Sequence, residues 1–125
     1  MASIRVDKQI FPFFDSVKTP ITAAGTSESF FNNGFSVINI EVATSGSVSL
    51  SVEGCINILK PDGTVKTDAE CDWTELAIIS LSDYSVSDTI TAAGIYAVGI
   101  NGTARVRVVA DSVSGETTIV GVAEV

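Results

Sequence analysis

The sequence contains no histidine, and this absence removes several kinds of chemistry at once. Histidine is the side chain that changes charge near neutral pH, and it is the commonest ligand of zinc and other transition metals. Without it, serine and cysteine lack the usual base that activates a nucleophile. We therefore expect a protein that is not an enzyme and that uses no cofactor and no metal.

Basic residues are scarce as well, with 7 lysines and arginines against 15 acidic residues and a net charge of −8. Nucleic-acid binding requires a basic surface that neutralises phosphates, so this composition argues against it. No long apolar run is present, and the N-terminus lacks the basic start and apolar core of a signal peptide. Neither membrane insertion nor export is therefore expected.

Cysteine is limited to Cys55 and Cys71, which are too few for a disulfide framework in a chain of 125 residues. No Cys-x-x-Cys spacing is present to indicate a redox or zinc motif. Two interpretations stay open. The favoured one is a pair of reduced thiols, and the other is a single bridge that closes the loop between them.

Apolar and polar residues alternate through most of the chain, between clusters of Gly, Ser, Asn and Asp. This period of two is typical of β-strands. It predicts strands at 4–6, near Phe30, and at 36–42, 47–53, 55–59, 73–81, 84–86, 95–100, 104–110 and 117–125. The strands at 36–42 and 47–53 are expected to form a hairpin, and Val120 and Val122 are expected to face inward. Many short strands predict an all-β antiparallel sandwich of two sheets, Greek-key or jelly-roll-like, as a single domain over 17–125.

One pentapeptide, Ile-Thr-Ala-Ala-Gly, occurs at 21–25 and again at 90–94. Each copy is followed by an Asn-Gly pair and then by a strand with apolar residues at alternate positions. Two interpretations stay open: hairpins that are alike by chance, and two related half-domains that contribute one sheet each.

Three of the six phenylalanines, Phe11, Phe13 and Phe14, cluster in a segment interrupted by Pro12. Such a segment either closes one end of the core or leaves the domain as an apolar arm that docks on a partner. We separate residues 1–16 from the sandwich on this basis and predict that the three phenylalanines bind a partner.

Charge is unevenly distributed along the chain, because seven acidic residues lie between 62 and 88. The acidic loop at 62–75 does not have the spacing of a calcium-binding loop, which favours a solvated loop. Arg105 and Arg107 alternate with valines and should therefore share the outer face of one strand. We predict that they form a subunit contact; the alternative is an ion pair within the same sheet.

Several short phrases also follow one another in a definite order. They are Val52-Glu53-Gly54, Asp62-Gly63-Thr64, Trp73-Thr74-Glu75-Leu76, Thr91-Ala92-Ala93-Gly94-Ile95-Tyr96-Ala97-Val98 and Arg105-Val106-Arg107-Val108. Over 36–125 this order resembles a type of small β-sandwich encoded among the structural genes of tailed bacteriophages and prophages. The longer acidic insertion before Trp73 departs from that type.

The resemblance implies a virion component without enzymatic activity, assembled in the cytoplasm of a bacterial host. Its expected role is that of a capsid decoration or head-fibre protein, a homo-oligomer whose partner is the major capsid protein or another virion protein. A tail or baseplate accessory protein is the first alternative. A carbohydrate-binding sandwich is the second, with Trp73, Tyr84 or Tyr96 as a stacking platform.

Overall fold

The computed structural model describes residues 8–14 and 20–125, which form two antiparallel sheets packed face to face. Within these ranges there are eleven strands and one short 3-10 helix. The strands are β1 (Lys8–Phe14), β2 (Gly25–Thr26), β3 (Phe30–Phe31), β4 (Val37–Thr44), β5 (Val48–Cys55), β6 (Thr74–Glu75), β7 (Ile78–Ser80), β8 (Val86–Ser87), β9 (Gly94–Gly99), β10 (Arg105–Val113) and β11 (Thr117–Glu124), and the helix is Asp68–Glu70. The prediction of an all-β antiparallel sandwich is confirmed.

The six-stranded sheet has the order β1-β11-β4-β9-β7-β8, and the five-stranded sheet has the order β2-β10-β5-β6, with β3 also paired to β10. Alternate residues of each central strand point into the space between the sheets, as the pleat requires. Ile38, Ile40 and Val98 enter it from one sheet, and Val52 and Val106 enter it from the other. All five are fully buried. The described residues include no helix with the length and hydrophobicity of a membrane span.

The expected hairpin of β4 and β5 is not present. β4 pairs with β11 and β9 in one sheet, whereas β5 pairs with β10 and β6 in the other. The turn at 45–47 therefore carries the chain from one sheet to the other. The strand predicted at 73–81 is divided in the same way, because β6 and β7 belong to different sheets. The strand predicted at 4–6 lies outside the described residues.

β11 presents the opposite face to the one expected. Ile119 and Ala123 point inward and are fully buried, whereas Val120 and Val122 lie on the outer face and are only partly buried. The inward position between them is Gly121, where a Cβ would lie 2.5 Å from Cδ1 of Ile38. Both faces of β11 are apolar, so the alternation alone does not tell which face is buried.

The docking arm predicted for the N-terminal phenylalanines is wrong, because β1 is an edge strand paired with β11. Phe11 is 0% exposed and Phe13 4% exposed, and Phe14 packs against the core. The ring of Phe30 stacks on Phe11 with centroids 5.2 Å apart and meets Phe13 edge-on at 5.4 Å. The segment therefore closes the core, and its described part belongs to the same sandwich as 20–125. Residues 1–7 and 15–16 of the predicted arm lie outside the described residues.

The repeated pentapeptide marks a real internal two-fold relation. In the five-stranded sheet Ala110 pairs with Gly25, and in the six-stranded sheet Val42 pairs with Gly94. The repeat shift converts one pairing into the other, because Gly94 follows Gly25 by 69 positions and Ala110 follows Val42 by 68. The strands β2-β10-β5 and β9-β4-β11 therefore have equivalent register. The expected arrangement, in which each half contributes one sheet, is not observed. Each half supplies strands to both sheets and pairs with strands of the other half.

The two halves meet where the chain crosses between the sheets. The amide of Ser45 donates to the carbonyl of Glu116 at 3.2 Å, and the amide of Ser114 donates to the carbonyl of Ser47 at 2.9 Å. These bonds are equivalent under the repeat shift. A Cβ at Gly46 would overlap the carbonyl oxygen of Ser114, so only glycine permits this contact between the turns.

Candidate interaction surfaces

The outer face of the five-stranded sheet carries an internal ion pair. Arg107 on β10 lies directly opposite Glu53 on β5, and its Nε and Nη2 atoms both lie 2.8 Å from Oε1 of Glu53. The guanidinium also sits over the ring of Trp73, 4.0 Å from the ring centroid. Both side chains of the ion pair are mostly buried. Arg107 thus has its partners, Glu53 and Trp73, within its own chain.

Arg105 is buried more deeply, at 6% exposed. Its Nη1 atom donates to Oδ1 of Asp68 at 3.1 Å and contacts Sγ of Cys71 at 3.5 Å. The guanidinium carbon lies 4.9 Å from the centroid of the Phe31 ring. The predicted subunit contact through Arg105 and Arg107 is therefore replaced by the alternative, ion pairs within the chain.

Residues 56–73, which we call the covering loop, bring Asp68, Cys71 and Trp73 onto this face. The loop has its own polar framework. Glu70 accepts from the amide of Thr67 at 2.9 Å and pairs with Lys60 at 2.9 Å, and the first of these contacts is the main reason that the pKa of Glu70 falls to about 2. The indole N–H of Trp73 donates to the carbonyl of Asp68 at 2.8 Å.

The acidic loop at 62–75 overlaps this covering loop and is more structured than expected. Hydroxyl and amide groups of Thr64 lower the pKa of Asp62, and Asp68 accepts from Ser29 at 2.7 Å as well as from Arg105. In the described parts of the chain, no three Cys, Asp or Glu side chains come together as a candidate metal site. The carboxylate of Asp68 instead holds the loop against the sheet through Arg105, and that of Glu70 organises the loop itself.

The three candidate stacking residues lie in different environments. Trp73 lies on the outer surface of the five-stranded sheet, with one face of its ring against Arg107. Tyr96 is 9% exposed, and its hydroxyl donates to the carbonyl of Ala92 at 2.7 Å. Tyr84 is 76% exposed and has a positive φ of 60°, a conformation that is uncommon for a bulky residue. Only Tyr84, of these three, presents a free ring.

The outer face of the six-stranded sheet is largely apolar and carries two rows of side chains across the strands. The first row is Ile10, Val122, Asn39, Ala97, Ile79 and Val86 in consecutive cross-strand pairs. The second row is Val120, Glu41, Ile95 and Leu81. We call these ten residues the open face. Val86 is 68% exposed and Ile95 50% exposed, and neither row contains a lysine or an arginine.

An open depression lies at the centre of the open face, lined by Val120, Val122, Asn39, Glu41 and Ile95. The nearest ion pair of the same sheet joins Lys8 to Glu124 at 3.4 Å, at the sheet's β1 edge. The sequence contained one signal for this surface. β11 is apolar at Val120 and Val122 as well as at its buried positions, and a strand that is apolar on both faces is typical of one covered on both sides.

No family model matches the chain, and no curated protein matches its sequence. Two solved structures are similar to it. The SPBc2 prophage-derived protein YomS has a TM-score of 0.73 and 19% sequence identity over 98% of each chain. The PBSX exported protein XepA has a TM-score of 0.75 and 13% identity, over 97% of this chain but 39% of its own length. At these identities the likeness establishes the fold, a two-sheet sandwich that one of these proteins contains within a longer chain.

Proposed function

We propose that this chain is a non-enzymatic structural protein of a bacteriophage particle, a decoration protein that binds the outer surface of the capsid through the open face. The observation that carries the proposal is the open face itself. A sheet face with eight apolar side chains in two rows is unusual for a surface in contact with water alone, and it indicates a protein partner.

Three further observations support the proposal. The sandwich has the same fold as the SPBc2 prophage-derived protein YomS along nearly the whole of both chains. The order of sequence phrases over 36–125 resembles small sandwiches encoded among phage structural genes. The net charge of −8 suits the outside of a capsid better than the inside, where DNA phosphates would repel it.

The mechanism is adhesive. Burial of the half-exposed isoleucines and valines of the open face contributes roughly 25 cal/mol per Å² of apolar surface removed from water. Because this contribution needs no charge on either partner, binding should survive high salt. Bound copies then stabilise the assembled shell by mass action. On this proposal the protein is made in the host cytoplasm, acts as a homo-oligomer and resides in the virion.

Cosedimentation with purified phage heads and tails tests the proposal. The wild-type protein should sediment with heads at low and high salt. Ile95→Lys and Val86→Lys, which place a charge on the open face, should weaken binding at least tenfold. Ile56→Lys is the matched control, because Ile56 is 77% exposed but lies at the end of the five-stranded sheet.

Unchanged sedimentation of the Ile95→Lys and Val86→Lys variants would exclude the open face as the contact. Binding that disappears in high salt would argue against an apolar mechanism. Sedimentation with tails in place of heads would assign the protein to the tail or baseplate.

A second candidate function, glycan binding, is favoured by Tyr84 alone. Tyr84 lies in the turn between β7 and β8, and its neighbours Ser82 and Ser85 line an open depression rich in hydroxyl groups. Backbone strain of this kind occurs most often at functional positions. On a glycan array, a binder of this type would lose its signal in Tyr84→Ala and keep it in Tyr84→Phe. Absence of any wild-type signal would remove this candidate.

A further inference from the structure

The two cysteines lie together beneath the covering loop. Cys55 is the last residue of β5 and is 2% exposed, and Cys71 lies in the covering loop and is 8% exposed. Both are reduced in this structure. Arg105 connects them, since it is the cross-strand partner of Cys55 and its Nη1 atom lies 3.5 Å from Sγ of Cys71. Sixteen positions apart in the chain, the two thiols have become neighbours through the folding of the loop.

The electrostatics of Cys55 agree with this arrangement. Burial raises the pKa of Cys55 to about 11, and the hydrogen bond with the Cys71 side chain is the next largest cause. A thiol with this pKa is protonated at neutral pH and is a poor nucleophile. Attack by the sulfur of Cys55 should therefore be slow.

We propose that Cys55 and Cys71 are a latent disulfide, which forms when the protein meets an oxidising disulfide of low molecular weight and anchors the covering loop to β5. One protein thiolate attacks a sulfur of the small disulfide and releases one small thiol. The second protein thiolate attacks the mixed disulfide and releases the other small thiol. Two electrons pass from the protein to the oxidant, and each released thiolate takes up one proton.

The disulfide bond would stabilise the contacts between the covering loop and the five-stranded sheet. The closed ring includes Asp68, the partner of Arg105, and Lys60 and Glu70, whose ion pair organises the loop. A disulfide limits the conformations that this segment gains on unfolding, so the oxidised protein should resist denaturant better than the reduced protein. This inference does not depend on the capsid-binding proposal, because the open face lies on the opposite side of the sandwich.

Mass spectrometry of the intact chain tests the inference with oxidised glutathione as the probe. The reduced protein is incubated with it in the native state and, separately, refolded in its presence, which removes the barrier set by burial. The samples are then unfolded and alkylated with iodoacetamide. The refolded wild type should accept no alkyl group, carry no glutathione and weigh less by two hydrogen atoms. Cys55→Ser and Cys71→Ser should each show either one alkyl group or one glutathione.

Tryptic cleavage after Lys66 provides a second measurement. If the bond has formed, the two fragments should stay joined until a reductant is added. Two alkylated thiols after refolding with oxidised glutathione would overturn the inference. So would stable glutathione adducts on the wild type, or dimers linked through either cysteine.

Discussion

The outer faces of the two sheets occupy equivalent positions in the internal two-fold and carry opposite chemistry. On the five-stranded sheet, Arg107 of β10 pairs with Glu53 of β5. The repeat shift converts this pair into Asn39 of β4 and Val122 of β11, which are also direct cross-strand partners. The backbone register is the same, but a mostly buried ion pair occupies these positions on one face only.

A second pair of positions shows the same difference. Arg105 opposite Cys55 corresponds to Val37 opposite Glu124. The buried guanidinium on the first face requires a partner, which the covering loop supplies through Asp68. On the second face, the partner of Glu124 among the described residues is the exposed Lys8 at the edge. The face with buried charges is thus covered by its own chain, whereas the largely apolar open face stays exposed to solvent.

The largest effect is expected where the two halves meet. Gly46→Ala places a methyl group against the carbonyl of Ser114, and backbone on both sides prevents relaxation. We expect a loss of about 3 kcal/mol or more in the free energy of unfolding. Guanidinium-induced unfolding measures this loss. Gly99→Ala, at a strand position with no atom within 4 Å of the added methyl group, is the control and should cost less than about 0.5 kcal/mol. Equal losses would contradict the proposed role of the crossing turns.

An intermediate effect is expected from the charge that holds the covering loop. Asp68→Asn leaves the guanidinium of Arg105 buried without its carboxylate. We expect a loss of about 2 kcal/mol, less than for a fully buried pair because the Asp68 side chain is 40% exposed. Glu124→Gln removes the corresponding ion pair at the edge of the open face, where the Lys8 side chain is 68% exposed, and should change stability by less than about 0.5 kcal/mol. If both variants lost the same stability in urea, the two faces would not differ as described.

The smallest effect on stability tests whether the two faces are interchangeable. Asn39→Arg combined with Val122→Glu rebuilds the Arg107–Glu53 pair at the equivalent register of the open face. A cross-strand pair of opposite charge contributes roughly 0.2–1 kcal/mol, so the double variant should remain as stable as the wild type within about 1 kcal/mol. Fluorescence of a hydrophobic dye should fall in the double variant, because its open face is less apolar. Unchanged dye binding would show that the dye reports another surface.

The strand pattern could be predicted well where one face of a strand is polar. In β4 the alternation of Ile38 and Ile40 with Asn39 and Glu41 indicates the buried side, and the structure agrees. In β11 the same argument gave the wrong face, because valines outside alternate with Ile119, Gly121 and Ala123 inside. Gly121 leaves room for Ile38, and no local pattern reports a neighbour so far away in sequence.

The interaction surfaces were predicted less well. Phe11 and Phe13 form a dense apolar cluster in the sequence, yet a cluster of this kind fits a core as well as an arm. The prediction that Arg105 and Arg107 form an exposed pair on β10 was wrong for another reason. Asp68, the partner of Arg105, lies 37 positions away in the sequence, in a loop. The two residues come into contact only when the chain folds, so no local pattern identifies the pair. The open face could not be predicted from the sequence, because it combines residues of six strands that pairing brings together.

The sequence by itself determined that the chain is an all-β domain and that it is acidic. The repeated pentapeptide left two interpretations open, and the cross-strand register decided that the two halves are related. The two properties that the sequence determined follow from alternation within single strands and from composition, both of which are local or additive. Only the tertiary structure decided which face of β11 is buried, which turns cross between sheets and which outer face receives the covering loop. These outcomes depend on contacts between distant residues, where packing and charge compensation select one arrangement among several that the local pattern allows.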